Sequence, residues 1–436
     1  MAIFAILVAI FLLVVLVGWL KTNPFLGFLA AAIVAACISG IPPEQIPGVL
    51  EAGIGSMLGS LAIILCVGAM FGKLISESGA AQQISRTLIA AFGQKNITWA
   101  LMITGFIVGI PLYYNVGFVL LVPLVFSVMY QSKLPGVYLA IPLLAGLSTT
   151  HGFLPPHPSP VALIPQFGAS IGATLLYGLI IAIPTVIIAG PLLATRLKHI
   201  QVNPLKTFCA QPLPEESLPT PFTSFFCALL PVLLIAAASL LPVIAPGVAK
   251  NSWVIFLSNP SIVLLLGLIV ATYSLGIARG VSIEKIMQSF TDGLKDISII
   301  VLILAGAGAL KQVFVTSGVS NELGSMLQQI PLNPLVLAWL IATVIRIALG
   351  SATVAGITAA GIVAPLVVSS GANPNLMVLA VGAGSLMCSH VNDSGFWMYK
   401  EYFNLSLKDT FKSWSLMETV IGVMGIIGVL ILDAFI

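Results

Sequence analysis

The chain has 436 residues, of which 59% are hydrophobic and 7% are charged, and its formal net charge is +3. A soluble domain carries about 25% charged residues, so this composition indicates an integral membrane protein and excludes a soluble globular fold. The small net charge and the lack of a basic cluster argue against a nucleic-acid partner. The 5 cysteines stand singly, without C-x-x-C spacing, so we expect neither a disulfide framework nor a metal site.

Apolar runs of about 17–25 residues predict membrane-spanning helices. The first run has the apolar core of a signal peptide, but no basic segment precedes it and no small-residue cleavage site follows, so we expect a retained span. The sequence predicts about ten spans, two of them broken by polar residues. They lie near 2–20, 24–41, 55–75, 137–167 (broken), 169–195, 222–244, 260–278, 297–315, 374–400 (broken) and 415–434.

Two further apolar stretches, 97–131 and 333–370, are each interrupted near the middle. The interruptions are Gly-Ile-Pro-Leu-Tyr-Tyr-Asn at 109–115 and Leu-Gly-Ser-Ala-Thr at 349–353. The halves on either side are about 12–19 residues long, whereas a full span needs about 20. We therefore predict two re-entrant hairpins.

The basic residues support this map. With the N-terminus outside, all the lysines and arginines except Lys250, Lys311 and Arg346 fall on the cytoplasmic side, as the positive-inside rule demands. Lys95 and Lys133 flank the first hairpin, which therefore enters from the cytoplasm, whereas the second enters from outside. Both termini then face the periplasm. The predicted cytoplasmic segments are 76–96, 196–221, 279–296 and 401–414.

A weak internal repeat recurs at an offset of about 240 residues. Each half contains an odd number of spans, so the two halves must be inverted relative to each other. The corresponding positions are Gly53 and Gly293, Gly68 and Gly308, Ser78-Gly79 and Ser317-Gly318, and His151 and His390. The predicted division is a first membrane repeat at 1–200, a cytoplasmic linker at 201–221 and an inverted second repeat at 222–436.

Polar breaks at 148–160 and 385–395 interrupt the two broken spans and contain three of the four histidines. Irregular backbone at membrane depth is tolerated only where it lines a cavity or is buried in protein, because lipid offers no hydrogen-bonding partner. Breaks in corresponding places of two halves are typical of the central binding site of a secondary transporter.

Three strings in these segments carry a resemblance to a known family. They are Gly-Phe-Leu-Pro-Pro-His-Pro at 152–158, Arg346 followed by Gly-Ser-Ala-Thr-Val at 350–354, and Ser-His-Val-Asn-Asp-Ser-Gly-Phe-Trp at 389–397. The chain resembles the gluconate permease (gluconate:proton symporter) family of the ion transporter superfamily over essentially its whole length. The resemblance implies inverted repeats, paired hairpins, elevator-type movement and proton-coupled uptake of gluconate or a related sugar acid across the bacterial inner membrane.

Arg346 and Asp393 are the first candidates for a functional site. An intramembrane arginine is a functional candidate by default, and its planar fork suits a carboxylate. The alternative is an internal ion pair with Asp393 or Glu418 that only holds helices together. Asp393 is the only acid in either break and is the natural proton carrier, although it also precedes a restarting helix and could be its N-cap.

The remaining candidates are histidines and the polar residues of the hairpin tips. Histidines titrate near neutrality and can relay protons, and we favour His157 over His151 as a substrate contact because two prolines fix its direction. Hydroxyl and amide groups near exposed helix N-termini suit an anionic sugar acid, although serine and threonine also serve helix packing. The predicted substrate-binding residues are Arg346, Ser351, Thr353, Tyr114, Asn115, His157 and Asn392, and the predicted proton-coupling residues are Asp393, His390 and His151.

Several alternatives stay open. A symporter of the same family for D-serine or another hydroxy acid, or coupling to sodium, is compatible with the sequence. An intramembrane enzyme is disfavoured because no H-E-x-x-H or G-x-S-x-G motif occurs, and a channel is disfavoured because no repeated selectivity loop occurs. We expect a small-molecule sugar acid and the lipid bilayer as partners, and no cofactor except the proton as coupling ion. The sequence leaves homo-oligomerisation open.

Overall fold

A computed structural model describes residues 2–110, 112, 114–155, 157–202, 213–244, 247, 251–257, 259–318 and 332–436. Within these ranges the ordered elements are helices, and no strand occurs. Six of the described helices are long and apolar enough to cross a membrane, and shorter apolar helices accompany them. The predicted all-α polytopic fold is confirmed. Lys206, Lys250 and residues 203–212 of the linker predicted at 201–221 lie outside the described residues.

The helices of the first half follow the predicted order. They are α1 (Ala2–Val14), α2 (Pro24–Ile38), α3 (Ile46–Glu77), α4 (Ala80–Gly109), α5 (Tyr114–Ser132), α6 (Gly136–Phe153), α7 (Pro158–Phe167) and α8 (Ile171–Ile187). The interruption predicted near the middle of 97–131 separates α4 from α5, and the first polar break separates α6 from α7. Non-helical backbone at Gly93, with φ 71° and ψ 160°, divides α4, so its second part forms the first arm of the predicted hairpin.

The helices of the second half repeat this arrangement. They are α9 (Pro221–Ile244), α10 (Ser252–Leu257), α11 (Pro260–Ala271), α12 (Ile283–Thr316), α13 (Pro334–Leu349), α14 (Ala352–Ser370), α15 (Pro374–Leu386), α16 (Ser394–Tyr402) and α17 (Leu416–Asp433). The second hairpin consists of α13 and α14, and the second broken helix consists of α15 and α16. The short helix α10 was not predicted from the sequence.

An Asn-Pro pair starts α2, α11, α13 and α15. In each case proline occupies the first helical position, where the missing N–H costs nothing. The asparagine Oδ1 accepts a hydrogen bond from a backbone N–H of the first turn, so one unpaired donor is satisfied. These bonds run from Phe25 N to Asn23, from Ser261 N to Asn259, from Leu335 N to Asn333 and from Asn375 N to Asn373, at 2.9–3.0 Å.

The long helices α3 and α12 cross through glycines. A Cβ placed on Gly53 would lie 2.5 Å from the carbonyl oxygen of Gly308, and one on Gly293 would lie 3.3 Å from that of Ala69. The earlier residue of α3, Gly53, contacts the later residue of α12, Gly308, and the later residue Ala69 contacts the earlier residue Gly293. The two helices are therefore antiparallel. Because Gly53 is the predicted counterpart of Gly293, and Gly68 that of Gly308, the two contacts exchange under the repeat. An inverted repeat requires this exchange.

The ends of α3 and α12 agree with the same correspondence. Gly79 and Gly318 both have left-handed backbone, with φ 79° and φ 70°. The preceding Ser78 donates its hydroxyl to the carbonyl of Ile75 at 3.3 Å, and Ser317 donates to a carbonyl three residues back at 3.1 Å. Both helices therefore end with the same serine-glycine cap.

Segments predicted to lie in the cytoplasm meet at one end of the molecule. Arg279 Nη1 donates to the carbonyl of Ser78 at 2.7 Å, and Gln82 Nε2 donates to the carbonyl of Leu213 at 3.0 Å. These bonds join three of the four predicted cytoplasmic segments. Their grouping therefore agrees with the topology derived from the basic residues.

Segments predicted to lie outside meet at the opposite end. The loop before α8 and the start of α15 contact each other, because Ser170 N donates to Asn375 Oδ1 at 2.8 Å. The residues between α14 and α15 also line a surface depression together with Asn333 and the C-terminal Ile436. The chain thus has two distinct polar ends, with the hairpin tips and both breaks between them.

Candidate functional site

The second break is organised around Asp393. The aspartate is the N-cap of α16, because its Oδ1 accepts a hydrogen bond from Gly395 N at 3.0 Å. Its Oδ2 accepts from Arg346 Nη2 and from the hydroxyl of Ser389. Ser389 in turn accepts from Trp414 Nε1 at 2.7 Å. Both carboxylate oxygens are therefore engaged, and the capping role and the ion pair considered from the sequence occur together.

Arg346 is only 3% exposed, and the ion pair is buried on both sides. Its Nε and Nη1 have no hydrogen-bonding partner among the described residues. A buried ion pair is stabilising only when its remaining donors are also satisfied. The guanidinium therefore retains hydrogen-bonding capacity while its charge is balanced by Asp393.

The first break contains a series of hydrogen bonds between neutral groups. His157 Nε2 lies 2.8 Å from the carbonyl of Gly109 and must be the donor, since a carbonyl only accepts. In a neutral His157, Nδ1 then accepts from His151 Nδ1 at 3.3 Å. His151 Nε2 is left as the acceptor for the hydroxyl of Thr353 at 3.4 Å. One choice of histidine tautomers therefore satisfies every hydrogen bond of this series.

Each break is bonded to the end of the first arm of its own hairpin. In the first half, His157 binds the last residue of α4. In the second half, His390 Nε2 lies 3.0 Å from the carbonyl of Ile347, and Asn392 Nδ2 donates to the carbonyls of Ile347 and Ala348 at 2.7 and 3.0 Å. The last carbonyls of a helix lack intrahelical partners. The break side chains supply these partners and fix the hairpins to the broken helices.

The two breaks also meet each other. A Cβ placed on Gly382 would lie 2.3 Å from the carbonyl oxygen of Gly152, and one on Gly152 would lie 2.4 Å from Leu386 Cδ1. Only hydrogen fits between these backbones. The C-terminal ends of α6 and α15 therefore pack directly together, which brings the charged break and the neutral break to one place.

A cavity of about 530 Å³ lies where the hairpin tips face the breaks. This volume falls within the roughly 300–1,000 Å³ of small-molecule sites. The first turns of α5, α14 and α16 line it, and the start of α11 lines it toward the end of the molecule predicted to face the periplasm. Its polar lining residues are Tyr114, Asn115, Ser148, His151, Asn259, Ser261, Lys311, Arg346, Ser351, Thr353, Asp393, Ser394, Trp414 and Glu418.

The electrostatics of this cavity favour an anion. Helix N-termini present unpaired N–H groups and the positive end of the helix dipole, and three such termini converge here. Two cations, Arg346 and Lys311, lie on the lining. Of these, Lys311 lies on α12 and also lines an adjoining cavity of about 130 Å³.

The structure brings most of the predicted site residues together. The main cavity is lined by Tyr114, Asn115, His151, Arg346, Ser351, Thr353 and Asp393, and Asn392 lines the adjoining cavity. His157 is 1% exposed and, like His390, lines neither cavity. This position differs from our preference for His157 over His151 as a substrate contact, because His157 lies behind His151 and orients it.

Sequence reasoning missed two charged groups of the site. The sequence placed Lys311 only among the basic residues that do not fall on the cytoplasmic side, and it offered Glu418 only as a partner for Arg346. Glu418 is 1% exposed, and its Oε1 accepts a hydrogen bond from Ser148. The available signal was a lone charge in each of two long apolar runs. Among the described residues, no group of three His, Cys, Asp or Glu side chains could hold a metal ion.

Comparisons with known proteins show the family of the chain. The family model for the GntP family permease matches residues 1–435. The chain is 45% identical to the high-affinity gluconate transporter of Escherichia coli strain K12 over 98% of each chain. It is 45% identical to the Gnt-II system L-idonate transporter of the same organism over 97% of each chain, and 42% identical to the gluconate permease of Bacillus subtilis strain 168 over 97% of each chain.

Among solved structures, the Alcanivorax borkumensis YdaH transporter resembles the chain with a TM-score of 0.46 and 13% identity, over 95% of this chain and 98% of that one. The family model and the relatives carry the assignment, since they cover nearly the whole chain at high identity. The protein is a multi-pass permease of the bacterial inner membrane and not an enzyme. The chain belongs to the GntP permease family.

Proposed function

We propose that the protein is a secondary active transporter that couples the uptake of gluconate, or of a closely related sugar acid such as idonate, to proton entry. The observation that carries this proposal is the cavity, in which two cations and three helix N-termini face a lining of hydroxyl and amide groups. A sugar acid has one carboxylate and a row of hydroxyls. The printed names of the relatives point to the same class of substrate.

The lining suggests a division of labour for binding. Arg346 has unpaired donors, and Lys311 is half-buried without an acidic partner among the described residues, so these two cations suit the carboxylate. The amides and hydroxyls suit the polyol chain, since a site built of hydrogen-bonding groups rejects analogues that lack the matching hydroxyls. These groups belong to Tyr114, Asn115, Ser351, Thr353 and Asn392.

Movement of the hairpins together with the broken helices is the second part of the proposal. In the first half, a Cβ on Gly105 would lie 2.1 Å from the carbonyl oxygen of Leu143, and in the second half one on Gly384 would lie 2.2 Å from that of Trp339. The first arm of each hairpin is thus in backbone contact with its broken helix, in addition to the hydrogen bonds at its end. We propose that these elements form a transport unit, which moves in an elevator-like manner against a scaffold from the spans near 2–41 and 222–278.

Proton coupling follows from the charge of the substrate. An anion that enters against a negative-inside potential loses about 2.3 kcal/mol per 100 mV. Inward accumulation therefore requires at least one cation to travel with it. The titratable groups of the cavity make a proton the natural choice, and the proton-coupling roles of Asp393, His390 and His151 stay predictions.

Uptake into proteoliposomes tests the proposal. Labelled gluconate, idonate, D-serine and citrate would be offered under a pH gradient or a sodium gradient, each imposed separately. We expect saturable uptake of gluconate or idonate that responds to the pH gradient alone. Uptake that responds only to sodium would contradict the coupling ion, and uptake of D-serine alone would contradict the substrate class.

A further inference from the structure

Glu418 is a buried acid that lines the cavity without an ion-pair partner among the described residues. It lies in the first turn of α17 and is 1% exposed. Within the described part of the chain, the ion pair of Arg346 goes to Asp393, and no ion pair is formed by Glu418. An ionised carboxylate that is buried without a cation is strongly unfavourable, and such a group takes up a proton instead.

The partner of Glu418 suits a group that changes its protonation state. Ser148 donates its hydroxyl to Glu418 Oε1. A hydroxyl can either donate or accept, so it can bond a carboxylate and can also accept from the neutral acid. Ser148 can therefore stay bonded to Glu418 in both forms.

Asp393 differs from Glu418 because two of its hydrogen-bonding partners can only donate. The Arg346 guanidinium and the Gly395 N–H can only donate, and both point at its carboxylate. A proton on Asp393 would oppose these donors and would leave the buried charge of Arg346 unbalanced. Two acids on one cavity thus have environments that favour different protonation states, which is the arrangement that separates the roles of paired carboxylates.

The charge of the cavity links this proton to the substrate. The ionisable side chains that line it are Tyr114, His151, Lys311, Arg346, Asp393 and Glu418. When the histidine and the tyrosine are neutral, the two cations balance the two acids. A proton on Glu418 leaves one net positive charge, which a single substrate carboxylate neutralises. An ionised Glu418 would instead repel the substrate in a site of low dielectric constant.

We propose that Glu418, with Ser148 as its hydroxyl partner, carries the coupling proton, so that the cavity binds the substrate anion and the proton together. This inference rests on the proposed proton symport. On the outer side, hydronium gives its proton to the carboxylate: one O–H bond of hydronium breaks, the O–H bond of the acid forms and a water molecule remains. On the inner side, the acid returns the proton to water after the substrate has left. Because binding free energies are reciprocal, the bound anion also favours the protonated acid.

Glu418→Gln gives the main test, since glutamine resembles the neutral acid but cannot release a proton. In proteoliposomes, one coupled proton and a pH gradient of one unit allow about tenfold accumulation. We expect the parent to approach this value, whereas Glu418→Gln should exchange labelled for unlabelled gluconate but should not concentrate it. The matched control is Glu284→Gln, which makes the same change at an exposed acid of α12 and should concentrate gluconate like the parent.

The outcomes separate the two proposals. If Glu418→Gln concentrates gluconate like the parent under the pH gradient, the role of Glu418 is overturned while the symport stands. If the parent itself ignores the pH gradient, both proposals are overturned before any variant is considered.

A second variant covers the case in which Glu418→Gln neither exchanges nor accumulates gluconate. Ser148→Ala keeps the acid but removes its partner. The hydroxyl bonds the ionised carboxylate about twice as strongly as the neutral acid, so its loss should move the pH dependence of exchange by about half a unit. An unmoved pH profile would overturn the proposal in that case.

Discussion

The two polar breaks have the same architecture, but one contains an ion pair and the other contains only neutral groups. Each ends a membrane helix, bonds to the end of a hairpin arm and is followed by a new helix. The second break balances a buried charge between Arg346 and Asp393, whereas the first carries a hydrogen-bonded chain of neutral groups from Thr353 to Gly109. The comparison teaches that the same backbone arrangement can hold an ion pair in one break and orient neutral groups in the other.

The largest effect is expected from a substitution that keeps the positive charge of the second break but changes the geometry of the side chain that carries it. Arg346→Lys retains the cation but loses the planar fork, and hydrogen bonds to charged groups are worth about 1.5–3 kcal/mol. We therefore expect the transport efficiency, Vmax/KM for gluconate, to fall at least about tenfold. The matched control is Arg86→Lys, at an arginine that is half-exposed and pairs with Glu215, and it should stay close to the parent. Unchanged efficiency in Arg346→Lys would remove the charged break from substrate binding.

The hairpin tips provide a second contrast. A Cβ on Gly350 would lie 2.1 Å from the carbonyl oxygen of Asn392, whereas one on Gly109 would lie 2.3 Å from the hydroxyl of Thr150, which is a side chain and can move. Overpacking against backbone costs about 1–3 kcal/mol, so Gly350→Ala should lower uptake about tenfold, and Gly109→Ala should lower it less. Gly371→Ala is the control, since Gly371 has the same φ of 67° but open space around it. Equal losses in Gly350→Ala and Gly371→Ala would show that strain of the backbone is responsible, and not the contact with the break.

The first break should tolerate more change than the second. His157→Leu removes the donor to Gly109 and leaves a buried carbonyl unpaired, at a cost of at least about 1 kcal/mol, or roughly a fivefold loss of uptake. His199→Leu is the control, because His199 is exposed and distant from both cavities. Initial rates of uptake measure both variants. A loss in His157→Leu as large as that in Arg346→Lys would show that the first break is not a neutral support.

The smallest effect is expected where the first break meets the second hairpin. Thr353→Val removes the hydroxyl that faces His151 and should raise KM for gluconate about threefold, the value of one modest hydrogen bond. Thr353→Ser keeps the hydroxyl and is the matched control. If both variants raise KM equally, the methyl group of Thr353 matters and the hydrogen bond to His151 does not.

The order and the ends of the helices could be predicted because the sequence marks them locally. The interruptions at 109–115 and 349–353 stand where α4 and α13 end, and Asp393 stands directly before α16, where it caps the helix. The corresponding glycines of the two halves were also found from the sequence, whereas their place at the antiparallel crossing of α3 and α12 was seen only in the structure. These signals are local, since glycine, proline and capping residues act within one turn of their own position.

Membership of the cavity was harder to predict. The structure places His151 on the cavity and His157 outside its lining. The sequence did not indicate this placement, because the direction of a side chain after an irregular turn depends on the surrounding packing. Glu418 and Lys311 were assigned to other roles, since a single charge in an apolar helix does not reveal which neighbour it faces. Only the tertiary arrangement of α12 and α17 around the breaks brings these two side chains to the site.

The glycine crossing of α3 and α12 has a consequence for assembly. In a symmetric homodimer, residue i of one subunit contacts residue j of the other, and j contacts i in return. Within this single polypeptide, Gly53 contacts Gly308, and Gly293 contacts Ala69, the residue after Gly68. These two contacts are reciprocal in the same way. The crossing thus has the form of a dimer interface between the two predicted inverted halves, joined into one chain. Two fragments divided within 201–221 and produced together therefore have, in this interface, a surface through which they can reassemble.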